Sequence, residues 1–562
     1  MQTNAKPINE KQSYIKRINL LRTERTSFIS WWRDLSKYLL SHRGRFLVSD
    51  RNKGIRRDRE QINNTARLAI RTLASGMMAG ITSPARPWFR LALSEKSLMK
   101  VIEVKMWLTK VEGLIREIYN QSNTYNSLHS LYEELGVFGT ASMGVYENYE
   151  NVIRCKPYTI GSYMLALDGN DMVNTWTREY QLTVAQLIEK FGYENCSLSV
   201  QNQWNNGNIT NWVDLYHIIE PNDDRDHMKP LAQYKNFKSC YFEKSQKNRD
   251  NKFLQKSGFN DFAIMAPRWS VTGEDVYATS CPGMVSLGDV MMLQTAEEMK
   301  YEGIEKQIDP HLLASANMRS ALNNELPPGE VSFVDDPDKG LIPAYQVQPR
   351  IDFHVADIKE IEERINKAFY VDLFLMLANT DRRQITAREI AERHEEKLLM
   401  LGPVLERLHN ELLDPLIDRT FNIGLRAGIF DPIPEVLKGK DLKIEYISVL
   451  AQAQKIVEIQ KLESVAGYVG QLSQIWPEVR NKFNPAESID AYVEAVGASP
   501  NVIKTPEQYK EAIEKEEQAV KEQQLAEAGP AMAKSAKDLS ETDTGGKNAL
   551  TDMMEQADAG AL

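Results

Sequence analysis

SLGDVMMLQTAEEMKYEGIEKQIDP (286–310) and, past an excursion, IDFHVADIKEIEERINKAFYVDLF (351–374) are the stretches on which the reading of the chain turns. In the first, Val290, Leu293, Glu297 and Ile304 fall near one side of a helix, and Ser286 with Asp289 offers a capping-box-like start. Asp309 and Pro310 stop it, because proline removes a backbone donor and disfavours helix in the residue before it. Turn signals at Pro327, Pro328 and Gly329 and again at Asp336–Gly340 flank the short apolar runs 331–334 and 341–347. The second stretch returns as a helix, with Val355, Ile358, Ile361, Ile365, Ala368 and Phe369 spaced by three and four. Two antiparallel arms joined by a small β-rich tip make a lever-like hairpin, from which a monomer gains little.

Charge sharpens the point. Asp289, Glu297, Glu298, Glu302 and Glu305 stand against Lys300 and Lys306 on the first arm. On the second, Asp352, Asp357, Glu360, Glu362, Glu363 and Asp372 stand against Lys359, Arg364 and Lys367. Each arm is thus net negative. One reading is a solvated α-hairpin. The other is a subunit wall whose apolar stripe packs on a neighbouring copy while its acidic side faces a shared lumen.

The rest of the chain bounds the choice. Its 562 residues suggest several modules, and a hydrophobic fraction of 42% supports real cores. No run of about 18 apolar residues occurs, and the opening MQTNAKPINEKQSYIKR lacks the apolar segment of a secretion signal, so neither a membrane span nor standard secretion is expected. Cys155, Cys196, Cys240 and Cys281 are far apart and read as reduced thiols, not as a disulfide framework or a zinc site. A net charge of −10 argues against a protein that coats nucleic acid, though not against one that lets it pass.

Along the chain, 11–42 is a strong helix with Ile18, Leu21, Arg25, Phe28, Trp32, Leu35 and Leu39 on one face. The basic stretch after it (Arg43, Arg45, Arg51, Lys53, Arg56, Arg57, Arg59) fits phosphate contact, a solvated loop or an inter-subunit ion-pair strip. A small-residue helix follows, where Ala69, Leu73, Gly76 and Gly80 permit close packing. It runs into an aromatic anchor at Pro84–Phe89. Helices over 97–120 and 124–136 lead to short strands at 142–145, 152–158, 163–167 and 172–180, with a turn at 168–170. Thr183 and Gln186 form a capping box for a helix to Phe191, and 212–220, 237–242 and 259–269 continue the β region. This half is α+β. After the arms come a polar loop (378–384), then a long helix opened by Thr386-Ala-Arg-Glu389 and interrupted at Gly402-Pro403 and near Pro415. A short strand at 442–447 precedes helices whose Leu462, Val465, Val469, Leu472 and Trp476 form a seam. Thr505, Pro506 and Gln508 start a charged helix to about Glu527, and the tail beyond lacks apolar periodicity and is expected to be disordered.

Catalytic motifs are missing. There is no GxxxxGK[ST] loop, GxGxxG helix start, HExxH or GxSxG elbow. Gly136, Gly139 and Gly144 read as packing or turn glycines, and the eight histidines are scattered. Asp223, Asp224, Asp226 and His227 offer oxygens to a cation without the EF-hand pattern. The chain is expected to be no enzyme and to carry no cofactor.

NTARLAIRTLASGMMAGITSPARPWF (64–89) resembles the head-to-tail connecting, or portal, proteins of short-tailed bacteriophages, in which such a helix follows a "W…Y" helix, here Trp31, Trp32 and Tyr38. Pro267-Arg268-Trp269 with Gly273, Glu274 and Tyr277 is similar to the family's "RW…GE.YG" run. Thr386–Glu389, Glu411–Pro415, Arg426–Gly428 with Pro434, and 446–454 match its later punctuation. The resemblance spans roughly 15–500. Ser41 stands where the family often has proline and Ala278 where it has glycine.

The resemblance implies a mainly helical α+β, multi-module portal fold assembling into a ring, usually of twelve copies, at one capsid vertex. Its modules would be N-terminal helices and wing (1–284), a descending stem helix (285–308), a clip (309–350), a returning stem helix (351–377) and a channel loop (378–385). A long wing helix (386–440), a helical crown (441–529) and a tail (530–562) complete it. That favours the lumen reading, in which Glu297, Glu298, Glu302, Glu305, Asp357, Glu360 and Glu363 repel duplex DNA from all sides so that it slides. Asn379, Arg382 and Arg383 lie where members put a loop into the channel; transient phosphate contact and pairing with a neighbour's carboxylates both stay open. Implied partners are double-stranded DNA during packaging and ejection, the terminase packaging motor, tail adaptor proteins, and major capsid and scaffolding proteins. The implied place is the head–tail junction of the virion after assembly in the host cytoplasm. A non-channel capsid scaffold and a nucleic-acid enzyme with an unrecognised site are the competing classes.

Overall fold

In the computed structural model the described residues are most of 10–308, apart from positions in 51–55, 94–100, 227 and 245–251. Described too are 312–313, 342–343, 351–379, 401–437, 442–447, most of 465–489 and scattered positions up to 519. The chain divides into two compact units, 1–94 with 103–468, and 95–102 with 469–562. In the second, the described residues include a 3-10 turn at Pro477–Lys482.

The first unit is built round a five-stranded antiparallel sheet of β4 (Tyr163–Leu167), β5 (Val173–Thr183), β6 (Trp212–Pro221), β7 (Phe237–Glu243) and β8 (Gln255–Phe259), in that order. The helix α1 (Glu10–Tyr38) lays Tyr14, Ile18 and Leu21 on one face, against Met164, Tyr216, Ile218, Cys240 and Phe242. Its next turns bury Arg25, which donates to the carbonyl oxygens of Gly161 (2.5 Å) and Tyr163 (3.3 Å), and Trp32, whose ring meets Phe28 and Tyr277 at 5.5 and 5.1 Å. The opposite sheet face takes α5 (Val184–Phe191) and α6 (Leu198–Asn205), through Val184, Leu187, Phe191 and Val200. Thr183 and Gln186 form the expected capping box. α6 was not expected; Ser197 caps it, accepting from the Val200 amide, in a stretch without a long apolar period.

A second sheet, β3 (Val152–Tyr158), β2 (Ser142–Asn148) and β9 (Ile264–Met265), packs by α4 (Thr124–Phe138). Gly139 ends α4 at φ +73°, the left-handed position glycine favours. The helix α2 (Thr65–Gly80) crosses α4 and, at Gly76, approaches so closely that an added Cβ would lie 2.2 Å from the Phe374 side chain. The aromatic anchor enters β1 (Phe89–Leu93), which pairs antiparallel with the expected late strand at Leu442–Tyr446, one register step per residue from Phe89↔Tyr446 to Leu93↔Leu442. α3 (Ile102–Gln121) supports it through Glu112, which accepts from the Leu91 amide at 2.8 Å.

Two expectations are corrected. The helix α7 (Pro282–Ile308) starts before Ser286, so the Ser286 capping box does not exist. Proline at its first position is pre-set for a helix, and the Cys281 sulfur accepts from the Met284 amide at 3.4 Å in place of a cap. Residues 401–408 are helical straight through Gly402 and Pro403. The break near Pro415 is a π-helical turn, His409–Leu413, before α10 (Asp414–Arg426); the wider turn accommodates the amide that Pro415 lacks. Val465 and Trp476, from the seam expected for a bundle or an inter-chain contact, are exposed in the single chain.

Candidate functional site

The hairpin is formed by α7 and by α8 (Ile351–Ala368), which pack along each other, with α9 (Val371–Asn379) turning back onto α2. Of the excursion between the arms, Leu312–Leu313 and Ile342–Pro343 pair antiparallel, a fragment of the expected β-rich tip. The rest of 309–350 lies outside the described residues. Leu293, Ile358, Ile361 and Ile365 make the apolar seam, each at most 5% exposed. Arg364 on α8 pairs with Asp289 on α7 at 3.0 Å, near the base of the hairpin.

Farther along the arms, the hairpin is clamped by the residues just before α2. The Gln294 side-chain oxygen accepts from the amides of Ile62 (2.6 Å) and Asn63 (2.8 Å), and its Nε2 donates to the Asn63 carbonyl at 3.1 Å. Asn63 Nδ2 donates at once to Glu297 (3.1 Å) and Glu362 (2.9 Å), one carboxylate from each arm, and the Thr65 hydroxyl donates to Glu362 at 3.1 Å. One amide thus holds two carboxylates. The sequence shows Asn63 and Gln294 only as polar residues beside helices; no local signal marks them.

Glu297 is therefore not free to face a lumen. It is 7% exposed, bonded by Asn63 and paired with Lys300. Its own helical period had placed it on the buried side with Leu293. Glu298, Glu302, Glu305, Asp357, Glu360 and Glu363 are all exposed. Glu302 meets Lys306 and Glu360 meets Arg364 at 3.6 Å each, loose surface pairs that leave the arms net acidic. Asn379 is the last residue of α9, and Arg382, Arg383 and Thr386–Glu389 lie outside the described residues. The hairpin also exposes Val285, Met292 and Met299, seven residues apart, with Tyr301 and Phe353 nearby in sequence on the two arms.

Behind the hairpin, two of the quoted motifs meet. Arg268 donates its backbone amide to Glu411 at 2.8 Å and its guanidinium to both Glu411 oxygens, at 2.8 and 3.3 Å. It also donates to the carbonyls of Asp171 (2.7 Å) and Asp275 (3.3 Å), and Arg407 adds a third-party bond to Glu411 at 3.0 Å. Arg268 and Glu411 are 2% and 7% exposed. In the basic stretch, Arg43 pairs with Glu133 and Glu134, Arg56 with Asp58 and Arg57 with Asp50, so these three are spent within the chain. Arg51 and Lys53 lie outside the described residues.

None of the four thiols is activated as a nucleophile. Burial pushes the thiols of Cys155 and Cys196 up to about 11 and that of Cys281 to about 12, and raises Cys240 as well. His409, stacked on Tyr446 at 3.7 Å, is pushed down by burial to about 4. Asp226 binds Lys229 and the Met228 amide, and among the described residues no group of three or more His, Cys, Asp or Glu is arranged to hold a metal.

The family model of the bacteriophage head to tail connecting protein matches residues 11–503. The "Portal protein" of Salmonella phage epsilon15 is 43% identical over 552 residues, covering 98% of this chain and 99% of that protein. The "Probable portal protein" of Bordetella phage BPP-1 is 43% identical over 552 residues, 97% of this chain and 98% of that one. Among solved structures, a chain of the virion of a native gene transfer agent particle aligns over 79% of this chain and 94% of its own, with a TM-score of 0.36 and 9% identity. A chain from the neck of an empty particle of the same kind aligns over 76% and 93%, with a TM-score of 0.37 and 10% identity, likenesses too distant to specify the fold.

Proposed function

Because the chain belongs to the bacteriophage head-to-tail connecting protein family, and so serves the junction of head and tail as a portal protein, we propose that it does so as a closed ring. The ring has twelve copies, and double-stranded DNA is packaged and later ejected along its axis. The observation that carries this reading is the acidic outer surface of the clamped hairpin: Glu298, Glu302, Glu305, Asp357, Glu360 and Glu363. Repeated round an axis, such a wall repels phosphates from every side. Screening over about 8 Å at physiological salt keeps that repulsion short-ranged, so the duplex is centred without being held at a distance. Glu297 leaves the set and joins the clamp that holds the arms at a fixed angle to α2.

The exposed heptad Val285, Met292 and Met299 supplies the contact with the next copy, since a stripe at that spacing packs on a second helix. In this arrangement 285–308 and 351–377 are the stem, 309–350 the clip that meets the terminase motor and then the tail adaptor, and 441–529 the crown. Major capsid and scaffolding proteins surround the wing. Asn379, Arg382 and Arg383 touch passing phosphates. The chain acts as a conduit and not as a catalyst.

Averaged end-on electron micrographs and the mass of the purified protein test the ring. A species no larger than a dimer under all conditions, or a particle with no axial hole, ends the proposal. Arg382→Ala combined with Arg383→Ala is expected to assemble normally and to lower the DNA content of heads; normal packaging and infectivity remove the loop from the mechanism.

A further inference from the structure

The five-stranded sheet carries, on the face away from α1, a group of cations that the connector role leaves unused. β5 alternation sets Trp176, Arg178 and Tyr180 on that face, with Arg178 across from Tyr163 on β4 and His217 on β6. The Arg178 guanidinium lies among rings, its Cζ 3.8 Å from the centroid of Tyr180, 5.1 Å from Tyr158 and 5.9 Å from Trp176. Lys156 on β3 brings its Nζ to 5.8 Å from the same Tyr158 ring. Lys190 on α5 stands 4.9 Å over Tyr241, which stacks on His217 at 3.8 Å. Arg178 is 8% exposed, whereas Lys156 and Lys190 expose part of their side chains while their ammonium ends stand against the rings. Two rim cations thus flank a buried one.

Negative charge is missing. Among the described residues no carboxylate is within ion-pair distance of Lys156, Arg178 or Lys190, and Arg178 Nε has no hydrogen-bond partner. Arg25 and Arg419 also leave one buried nitrogen unpaired, but the other buried arginines direct donors to acceptors. Arg25 has two carbonyls, Arg268 has Glu411, and Arg419 has the carbonyls of Val145 and Asp261 at 2.8 Å each. Burial, then Arg178, Lys190 and Arg154, pulls the Lys156 ammonium down to about 8; burial and Arg178 lower Lys190 too. Burial disfavours the Arg178 guanidinium, and Tyr158, Tyr180, Tyr146 and Tyr241 more than offset it, so it stays charged with no carboxylate to neutralise it.

We propose that Arg178, Lys156 and Lys190 form a binding site for a compact oxyanion of phosphate type. Tyr158 and Tyr180, at 6% and 9% exposure, are too covered to stack a nucleobase, so the site takes the phosphoryl group itself. Its source is a free phosphate ion or a nucleic-acid backbone.

Isothermal titration of inorganic phosphate into the full chain, at pH 8 and constant ionic strength set with chloride, tests it. The native chain is expected to bind saturably, one ion per chain. Lys156→Gln and Lys190→Gln, both at exposed positions and checked by circular dichroism, each weaken binding by about tenfold or more, as loss of one charge-assisted contact predicts. Repeating the native titration in two buffers of different ionisation enthalpy reads more proton uptake than in Lys156→Gln, because the anion restores charge to Lys156. No saturable heat with the native chain, or native affinity in both variants, overturns the site. Competition with a short duplex identifies the source: displacement of phosphate assigns the site to the backbone, and failure to displace it assigns the site to the free ion.

Discussion

The Arg268–Glu411 pair joins the β half to the helical segment after 401, and it permits a sharp test. Glu411→Leu leaves a guanidinium at 2% exposure with only two carbonyls, and also orphans the Arg268 amide. Breaking a buried pair by removing one partner costs about 3–5 kcal/mol, because the remaining charge is uncompensated. Arg268→Met leaves Glu411 with Arg407 alone, whose side chain is 35% exposed, so a loss of about 3 kcal/mol is expected. The double variant removes both charges and leaves the carbonyls of Asp171 and Asp275 and one amide unpaired, at about 1–3 kcal/mol for each group that stays dry. Its loss should therefore match the worse single rather than the sum, a coupling of about 3 kcal/mol. Urea unfolding followed by tryptophan fluorescence measures this, and with a slope of about 3 kcal/mol per molar each single shifts the midpoint by about 1 M or more. Additive losses in the double, or singles within about 0.5 kcal/mol of the parent, would refute the claim that these two charges exist for each other.

Gly76→Ala forces a methyl into Phe374 and should cost about 1–3 kcal/mol, restored in part by Phe374→Leu; a neutral Gly76→Ala denies the close crossing. Asn63→Ala frees two carboxylates that share one donor and should raise the proteolytic sensitivity of the hairpin while the sheet keeps its amide-exchange protection; equal sensitivity in both regions contradicts the clamp. Burial, opposed by Arg43, pushes Glu134 up to about 7 from an ordinary 4.5. The folded chain then keeps a proton that the unfolded chain loses, so this contribution is full below pH 4.5 and disappears as pH rises through 7, a change of about 3 kcal/mol. Glu134→Gln should flatten that slope, and an unchanged slope between pH 5 and about 8 would show the carboxyl is not its source.

The sequence by itself settled whatever repeats within one element. The 3.6-residue period of α1 named Ile18, Leu21, Trp32 and Leu35, all buried, and the two-residue period gave Val152–Tyr158 and Tyr163–Leu167 to the residue. Thr183 with Gln186 marked a helix start, because a capping box is closed within four residues. It also fixed the family, through an ordered set of short motifs.

Only the tertiary structure decided which distant groups share a proton or a charge. Glu297 looked like one more acid on an acidic arm until Asn63, from before α2, was found bonding it. Arg268 and Glu411 were separate punctuation until the chain brought them to 2.8 Å. The strand Phe89–Leu93 acquired a partner more than 300 residues away. Periodicity reports how a residue faces its own helix or strand; it holds no record of what crosses that face. Desolvation, which turns an ordinary carboxylate into a clamp, depends on that crossing alone.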